Sequence, residues 1–214
     1  LVEDVADRQM ELVMRNCVWS DAGVRVMIQS GKRIELTNNH FVRIAGGLDV
    51  KTDSWWWQGA TVNNVIIANN VFLDCNYGSL WGSGSAAISV NSGNELPIRS
   101  FPGRYPNNNI VIRNNRIDGS SAGAIIVQNS NNVQITGNEC RNLFQLKPPG
   151  AAIAVTGSGD VTITGNRVEN CPATAIKADW IDGLQCSGNT GSDLGTPENP
   201  AVLEEFSHVR RATK

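Results

Sequence analysis

The sequence predicts an all-β fold, a right-handed parallel β-helix solenoid of about seven coils, and three observations predict it. First, an asparagine recurs at 39, 70, 115, 138, 166 and 189, five and three residues after an apolar pair. The pairs are Ile34/Leu36, Val65/Ile67, Ile110/Ile112, Val133/Ile135, Val161/Ile163 and Leu184/Cys186. Asn16 extends the series with half a pair, Val13, so successive asparagines differ by 23, 31, 45, 23, 28 and 23 residues. Second, a leading column of pairs precedes this one: Val26/Ile28, Leu48/Val50, Ile88/Val90, Ile125/Val127, Ile153/Val155 and Ile176/Ala178. In four coils its second member lies six residues before the next Asn-linked pair, and the exceptions, after Val50 and Val90, locate two insertions. Third, no segment before Pro197 sustains the three-and-four apolar spacing of a helix, while Asn and Gly are dense throughout.

A repeat near 23 residues, built from short strands with Gly and Asn between them, is the mark of a solenoid. Apolar residues spaced by two turn one side of each strand inward. Stacked parallel coils let each Asn bond to the Asn above and below, which satisfies amides that a tight turn would otherwise bury. Asn also tolerates the left-handed backbone such turns need. At about 4.8 Å between stacked strands, seven rungs make a rod on the order of 30 Å long. An antiparallel sandwich would not hold two columns six residues apart.

In chain order, residues 1–21 supply a first strand and turn. The chain begins with Leu and its first coil is incomplete, so it reads as part of something longer. Residues 21–44 form the first complete coil, with Met27 and Gln29 outward. The second coil turns Leu48 and Val50 in and Asp49 and Lys51 out, then opens into an insertion over residues 52–64. The third presents Ser89 and Asn91, then a longer excursion in which Pro97, Pro102 and Pro106 forbid regular strand. Later coils are plainer, with outward pairs Ile126/Gln128, Ala154/Thr156 and Lys177/Asp179. The β-helix is assigned to residues 1–191. Residues 192–214 are expected to be a cap or tail: a helix of about two turns after Pro200, with Val202, Leu203 and Phe206 against the last coil, or a frayed end.

Composition bounds the function. With 41% hydrophobic residues and a net charge of −2 the chain reads as one soluble domain, with no basic excess for nucleic acid. Its apolar runs fall far below the roughly 18 residues that span a bilayer, so no membrane insertion is expected. The five cysteines, at 17, 75, 140, 171 and 186, show no paired spacing and read as small apolar residues of the core. His40 and His208 lie far apart, so no metal and no cofactor is expected.

The chemistry concentrates where the pattern breaks. Both insertions leave the same end of the same strand column in neighbouring coils, so their loops should project side by side. Around them gather Asp49, Lys51, Asp53, Trp55, Trp56, Trp57, Gln58 and Asn91, with Trp81 close in sequence. Aromatic faces beside carboxylates and amides suit a sugar, whose C–H faces stack on rings while its hydroxyls take directed hydrogen bonds. The plainer alternative is a hydrophobic plug over the coil, but three adjacent rings on an extended loop cannot all turn inward. A glycosidase needs two carboxyls about 5 to 9.5 Å apart. Asp49 and Asp53 are roughly 13 Å apart if extended, so a bend would be needed. The adjoining outward positions carry Met27, Gln29, Ser89 and Asn91, and the catalytic residues stay unassigned.

The overall pattern resembles the pectate-lyase-like superfamily over residues 10–191. More particularly, VMIQSGKRIELTNNHF, KTDSWWWQGATVNNVIIANNVFLDCNYG and WGSGSAAISV resemble the downstream part of the β-helix of glycoside hydrolase family 110, over residues 9–95. The resemblance implies an exo-acting α-1,3-galactosidase that inverts the anomeric centre without a metal, secreted or periplasmic. It places Asp53 at a family Asp and Trp56 and Trp57 at an aromatic pair. Gln58 stands where that family has Glu, and of an Arg-rich turn only Arg25 remains. The family's catalytic aspartates would lie upstream of this chain. The expected partner is thus a glycan or oligosaccharide. Two alternatives stand beside it: a polysaccharide lyase with Asp49 and Asp53 on Ca²⁺ and Lys51 as base, and a non-catalytic adhesion rod.

Overall fold

A computed structural model describes residues 10–29, 31–52, 61–78, 86–91, 105–144, 150–197 and 200–211. The chain winds through seven rungs, each contributing a strand to each of three faces. The first four rungs are β1 (Glu11–Arg15), β2 (Val18–Ser20) and β3 (Val26–Gln29); β4 (Arg33–Thr37), β5 (His40–Val42) and β6 (Leu48–Lys51); β7 (Val62–Ala68), β8 (Val71–Cys75) and β9 (Ala86–Asn91); β10 (Asn107–Arg113), β11 (Arg116–Ser120) and β12 (Gly123–Gln128). The rest are β13 (Ser130–Thr136), β14 (Glu139–Arg141), β15 (Ala151–Thr164), β16 (Arg167–Cys171), β17 (Thr174–Ser187), β18 (Thr190–Leu194) and β19 (Glu204–Arg211). Strands β15 and β17 each bend from the third face of one rung into the first face of the next. One sheet holds the first and third faces, and a separate 7-stranded sheet in the order β18-β16-β14-β11-β8-β5-β2 forms the second. Every pairing between these strands is parallel, with rung facing rung.

The predicted pairs are the core. Ile34, Val65, Ile110 and Val133 stand in register on the first face, and Leu48, Ile88, Ile125 and Ile153 on the third, all fully buried. On the second face Phe41 stacks on Phe72, ring centroids 4.6 Å apart. Cys75, Cys140 and Cys171 are buried free thiols, as read from the sequence; Cys17 and Cys186 are only half-buried. Burial pushes the thiols of Cys75 and Cys171 up to about 11 and raises that of Cys140 as well.

The asparagines form a continuous ladder at the turn between the first and second faces. Each Oδ1 accepts from the backbone N and the Nδ2 of the preceding rung's asparagine: Asn39 to Asn70 at 2.8 and 3.1 Å, Asn115 to Asn138 at 3.0 and 3.0 Å. Each Nδ2 also donates back to a strand carbonyl, as Asn115 does to Ile67 O at 2.9 Å. The ladder closes at Asn189, whose Nδ2 reaches Glu204 Oε1 at 3.3 Å.

Two expectations are corrected. Asn16 is not a ladder residue: Arg15 pairs with Thr37, so Asn16 lies opposite Asn38, and both are left-handed, with φ of 55° and 56°. Cys17 holds the ladder slot, its backbone N donating to Asn39 Oδ1 at 3.0 Å. Its apolar pair is Leu12 and Met14, packed against the core. The helix expected after Pro200 is instead β19, which pairs with β17 and sets Phe206 opposite Ala178. Rung periodicity therefore continues to Arg211.

Candidate functional site

The site is built from the ends of two neighbouring third-face strands. In β6 and β9, Asp49 lies opposite Ser89 and Lys51 opposite Asn91. Both strands end here, and from here the chain enters the two insertions. Alternation turns Leu48 and Val50 into the core, so Asp49, Lys51 and Ser89 face outward. They are nonetheless buried, at 4%, 9% and 7% exposure, so the outward positions are not the open surface expected.

Asp49 is the hub. Its Oδ2 accepts from Arg25 Nη1 at 2.8 Å and its Oδ1 from Asn91 Nδ2 at 2.8 Å. Arg25 comes from the rung above, just before β3. It passes close over Gly46, where a Cβ would stand 2.5 Å from Arg25 Cβ. Gly47 is left-handed at φ 67°, and a Cβ there would lie 2.7 Å from the carbonyl oxygens of Ala86 and Ala87. The glycine pair is thus required by close approach as well as by backbone shape.

A second layer pins the necks of both insertions. Thr52 Oγ1 donates to Asn107 Oδ1 at 2.7 Å and accepts from Val62 N at 3.0 Å. Asn91 O accepts from Thr52 N and from Asn107 Nδ2, each at 3.1 Å. One clasp therefore joins the exit of β6, the end of β9 and the starts of β7 and β10. Sequence reasoning missed Arg25 as a site residue and missed this clasp. A signal for the clasp was present: Asn107, Ser130 and Ser158 each stand three residues before a core Ile or Val, a third periodic column.

Of the predicted residues, the structure brings together Asp49, Lys51 and Asn91. Asp53, Trp55, Trp56, Trp57 and Gln58 lie outside the described residues, as does Trp81. Arginine also holds two other shielded carboxylates, Glu35 and Asp118. Glu35 lies between Arg15 and Arg33, whose hydrogen bonds keep its carboxyl below the usual range. For Asp118, burial works upward, but hydrogen bonds from Arg141, Asn142 and Arg116 outweigh it and hold it low. Such carboxylates are acceptors, suited to orienting donors and not to giving up a proton. Among the described residues no group of three or more His, Cys, Asp or Glu could hold a metal ion, and no helix is long and apolar enough to cross a membrane.

Stacked parallel rungs with an interior asparagine ladder define the class: the chain is a right-handed parallel β-helix, and a family model described as a right handed beta helix region matches residues 105–198. Within that class it resembles alpha-1,3-galactosidase A of Bacteroides fragilis, to which it is 25% identical over 89 residues. That stretch is 40% of this chain and 14% of the galactosidase. No solved structure matches it.

Proposed function

We propose that this chain is the sugar-gripping part of a carbohydrate-active β-helix, from a glycoside hydrolase acting on terminal α-galactose-like residues. The observation that carries the reading is the Arg25–Asp49–Asn91 chain seated where two insertions leave adjacent strands. Asp49 has both oxygens engaged and works as a positioning residue: it holds the Asn91 amide and the Arg25 guanidinium for ligand hydroxyls. Lys51 lines the floor, and the aromatic run of residues 55–57 supplies the stacking surface, with Asp53 and Gln58 binding hydroxyls. The acid and base belong to another part of the enzyme. The galactosidase similarity supports this reading, and the geometry disfavours the lyase, because an Asp49 carboxylate already bound by Arg25 and Asn91 is poorly placed to ligate Ca²⁺.

The test is binding of galactose and of an aryl α-galactoside, followed by titration and by crystal soaking. Wild type should bind both, with the sugar against Asn91; Asn91→Ala and Trp56→Ala should each weaken binding about tenfold or more. The reading is overturned if no galactose sits against Asn91, or if binding there is indifferent to both substitutions.

A further inference from the structure

The corner that follows the second face carries a different set of groups. Asp74, Gly119, Asn142, Asn170 and Asp193 all adopt left-handed backbone there, with φ of 50°, 78°, 55°, 46° and 53°. They stand one per rung, about 4.8 Å apart. Around the last three opens a cavity of about 390 Å³, lined by Asn142, Leu143, Asn170, Pro172, Asp193 and Gly195. That volume suits one or two sugar rings.

The hydrogen bonds along this corner run one way. Asn170 Nδ2 donates to Asn142 Oδ1 at 2.7 Å, and Asn142 Nδ2 donates to Asp118 Oδ1 at 2.7 Å. Each amide spends one N–H toward the N-terminal rungs. At the other end stand an acceptor, Asn170 Oδ1, and one rung on a second, the Asp193 carboxylate; Glu169 pairs with Ser192 and Cys171 with Leu194, so Asn170 and Asp193 lie opposite each other. Asp193 is exposed, and no hydrogen bond or ion pair joins its side chain to the described residues. The floor beneath is apolar, with Leu143 buried and Pro172 half-buried.

We infer that this groove binds a neutral pyranose, whose hydroxyls donate to Asp193 and Asn170 while a C–H face rests on Pro172. Two adjacent acceptors over an apolar floor match a ligand that is rich in O–H donors and has one apolar face. Ca²⁺ fits less well, since the groove offers one carboxylate, whereas such ions gather six to eight oxygen ligands. The groove lies on rungs five to seven, on the order of 15 Å along the axis from the Asp49 cluster on rungs two and three. It does not rest on the reading of that cluster.

The test is amide chemical-shift mapping on the whole chain with galactose, glucose and N-acetylglucosamine, and separately with CaCl₂. At least one sugar should shift the resonances of residues 142, 170 and 193, with a dissociation constant on the order of 1–10 mM. Asp193→Asn and Asp193→Gly both keep a left-handed backbone and so should fold. Each should weaken that sugar about tenfold as read from the shifts of residues 142 and 170, while Gln134→Ala, exposed on the first face, leaves it unchanged. The inference is overturned if none of the sugars shifts these residues, if both Asp193 variants bind as wild type does, or if only CaCl₂ produces the shifts.

Discussion

Asn115 is the rung at which the ladder can be put to a quantitative test. Its side chain makes four hydrogen bonds inside the rod, with 1% of the residue exposed. Its Oδ1 accepts from Asn70 N and Nδ2, both at 3.0 Å. Its Nδ2 donates to Ile67 O at 2.9 Å and Asn138 Oδ1 at 3.0 Å. At about 1 kcal/mol net for each bond, Asn115→Ala should cost about 4 kcal/mol, lowering Tm by about 8–16 °C in a chain of this size. Asn115→Asp should cost more although its shape is unchanged, because a carboxylate oxygen would face Ile67 O and Asn138 Oδ1, acceptor against acceptor. Gln134→Ala, exposed on the first face, is the control and should fall within about 0.5 kcal/mol of wild type. The assay is urea and thermal unfolding followed by circular dichroism and by tryptophan fluorescence, whose agreement also checks that the rod unfolds as one unit. The reasoning fails if Asn115→Ala costs no more than Gln134→Ala, or if Asn115→Asp is as stable as wild type.

Gly47→Ala should destabilise by several kcal/mol, since its Cβ meets two backbone carbonyls at 2.7 Å, whereas Gly165→Ala, with nothing within 4 Å and φ 63°, should cost only about 1–2 kcal/mol for the left-handed backbone. Gly165→Asn should be near neutral, because Asn38, Asn69 and Asn114 occupy the equivalent position; paired denaturant curves decide both points. Asp49→Ala should cost about 3 kcal/mol by leaving Arg25, only 27% exposed along its side chain, without its carboxylate, and Arg25→Met in the same background should recover part of that loss. Raising the pH should weaken the fold between about 9 and 11: the thiols of Cys75 and Cys171, ordinarily near 9.0, rise to about 11 by burial. The folded state therefore holds protons that the unfolded chain releases. This is about 2 to 3 kcal/mol per thiol, fully present below pH 9 and lost by pH 11, and Cys75→Ala with Cys171→Ala should flatten that part of the pH–stability profile.

The rung pattern was readable from sequence because its two determinants are local. An apolar pair spaced by two and an amide three residues on repeat unchanged in every rung from Asn39 to Asn189. The errors have equally definite causes. Asparagine serves two purposes at this turn, left-handed backbone and ladder bonding, and in Asn38–Asn39, Asn69–Asn70 and Asn114–Asn115 the two stand side by side. Where only one survives, as at Asn16, the apolar pair at minus five and minus three decides which it is, and Leu12/Met14 assign the ladder slot to Cys17. The C-terminal helix was read from Val202, Leu203 and Phe206. In the structure Phe206 and Val209, three apart, oppose Ala178 and Ile181 on either side of a left-handed bend at Trp180 and His208, which stack with ring centroids 4.1 Å apart. A spacing of three can thus come from a strand crossing a corner. The burial of Asp49 was not readable, because it depends on Arg25 from another rung, 24 residues away.

Two of the three turns of each rung differ in what they tolerate, and this explains where the candidate site sits. At the asparagine turn every amide bonds to both neighbouring rungs, so an added residue would break the chain of bonds on two sides; the spacing there is constant. The turn between the third and first faces is held by single side chains, Thr52, Asn107, Ser130 and Ser158, of which Thr52 and Asn107 close the necks of the two insertions. Once a neck is closed, lengthening the loop beyond it costs little, roughly 0.6 kcal/mol per doubling. The rod can therefore vary its outward chemistry at that corner while its core repeats, and Asp49, Lys51 and Asn91 lie at the foot of the two places where it does so.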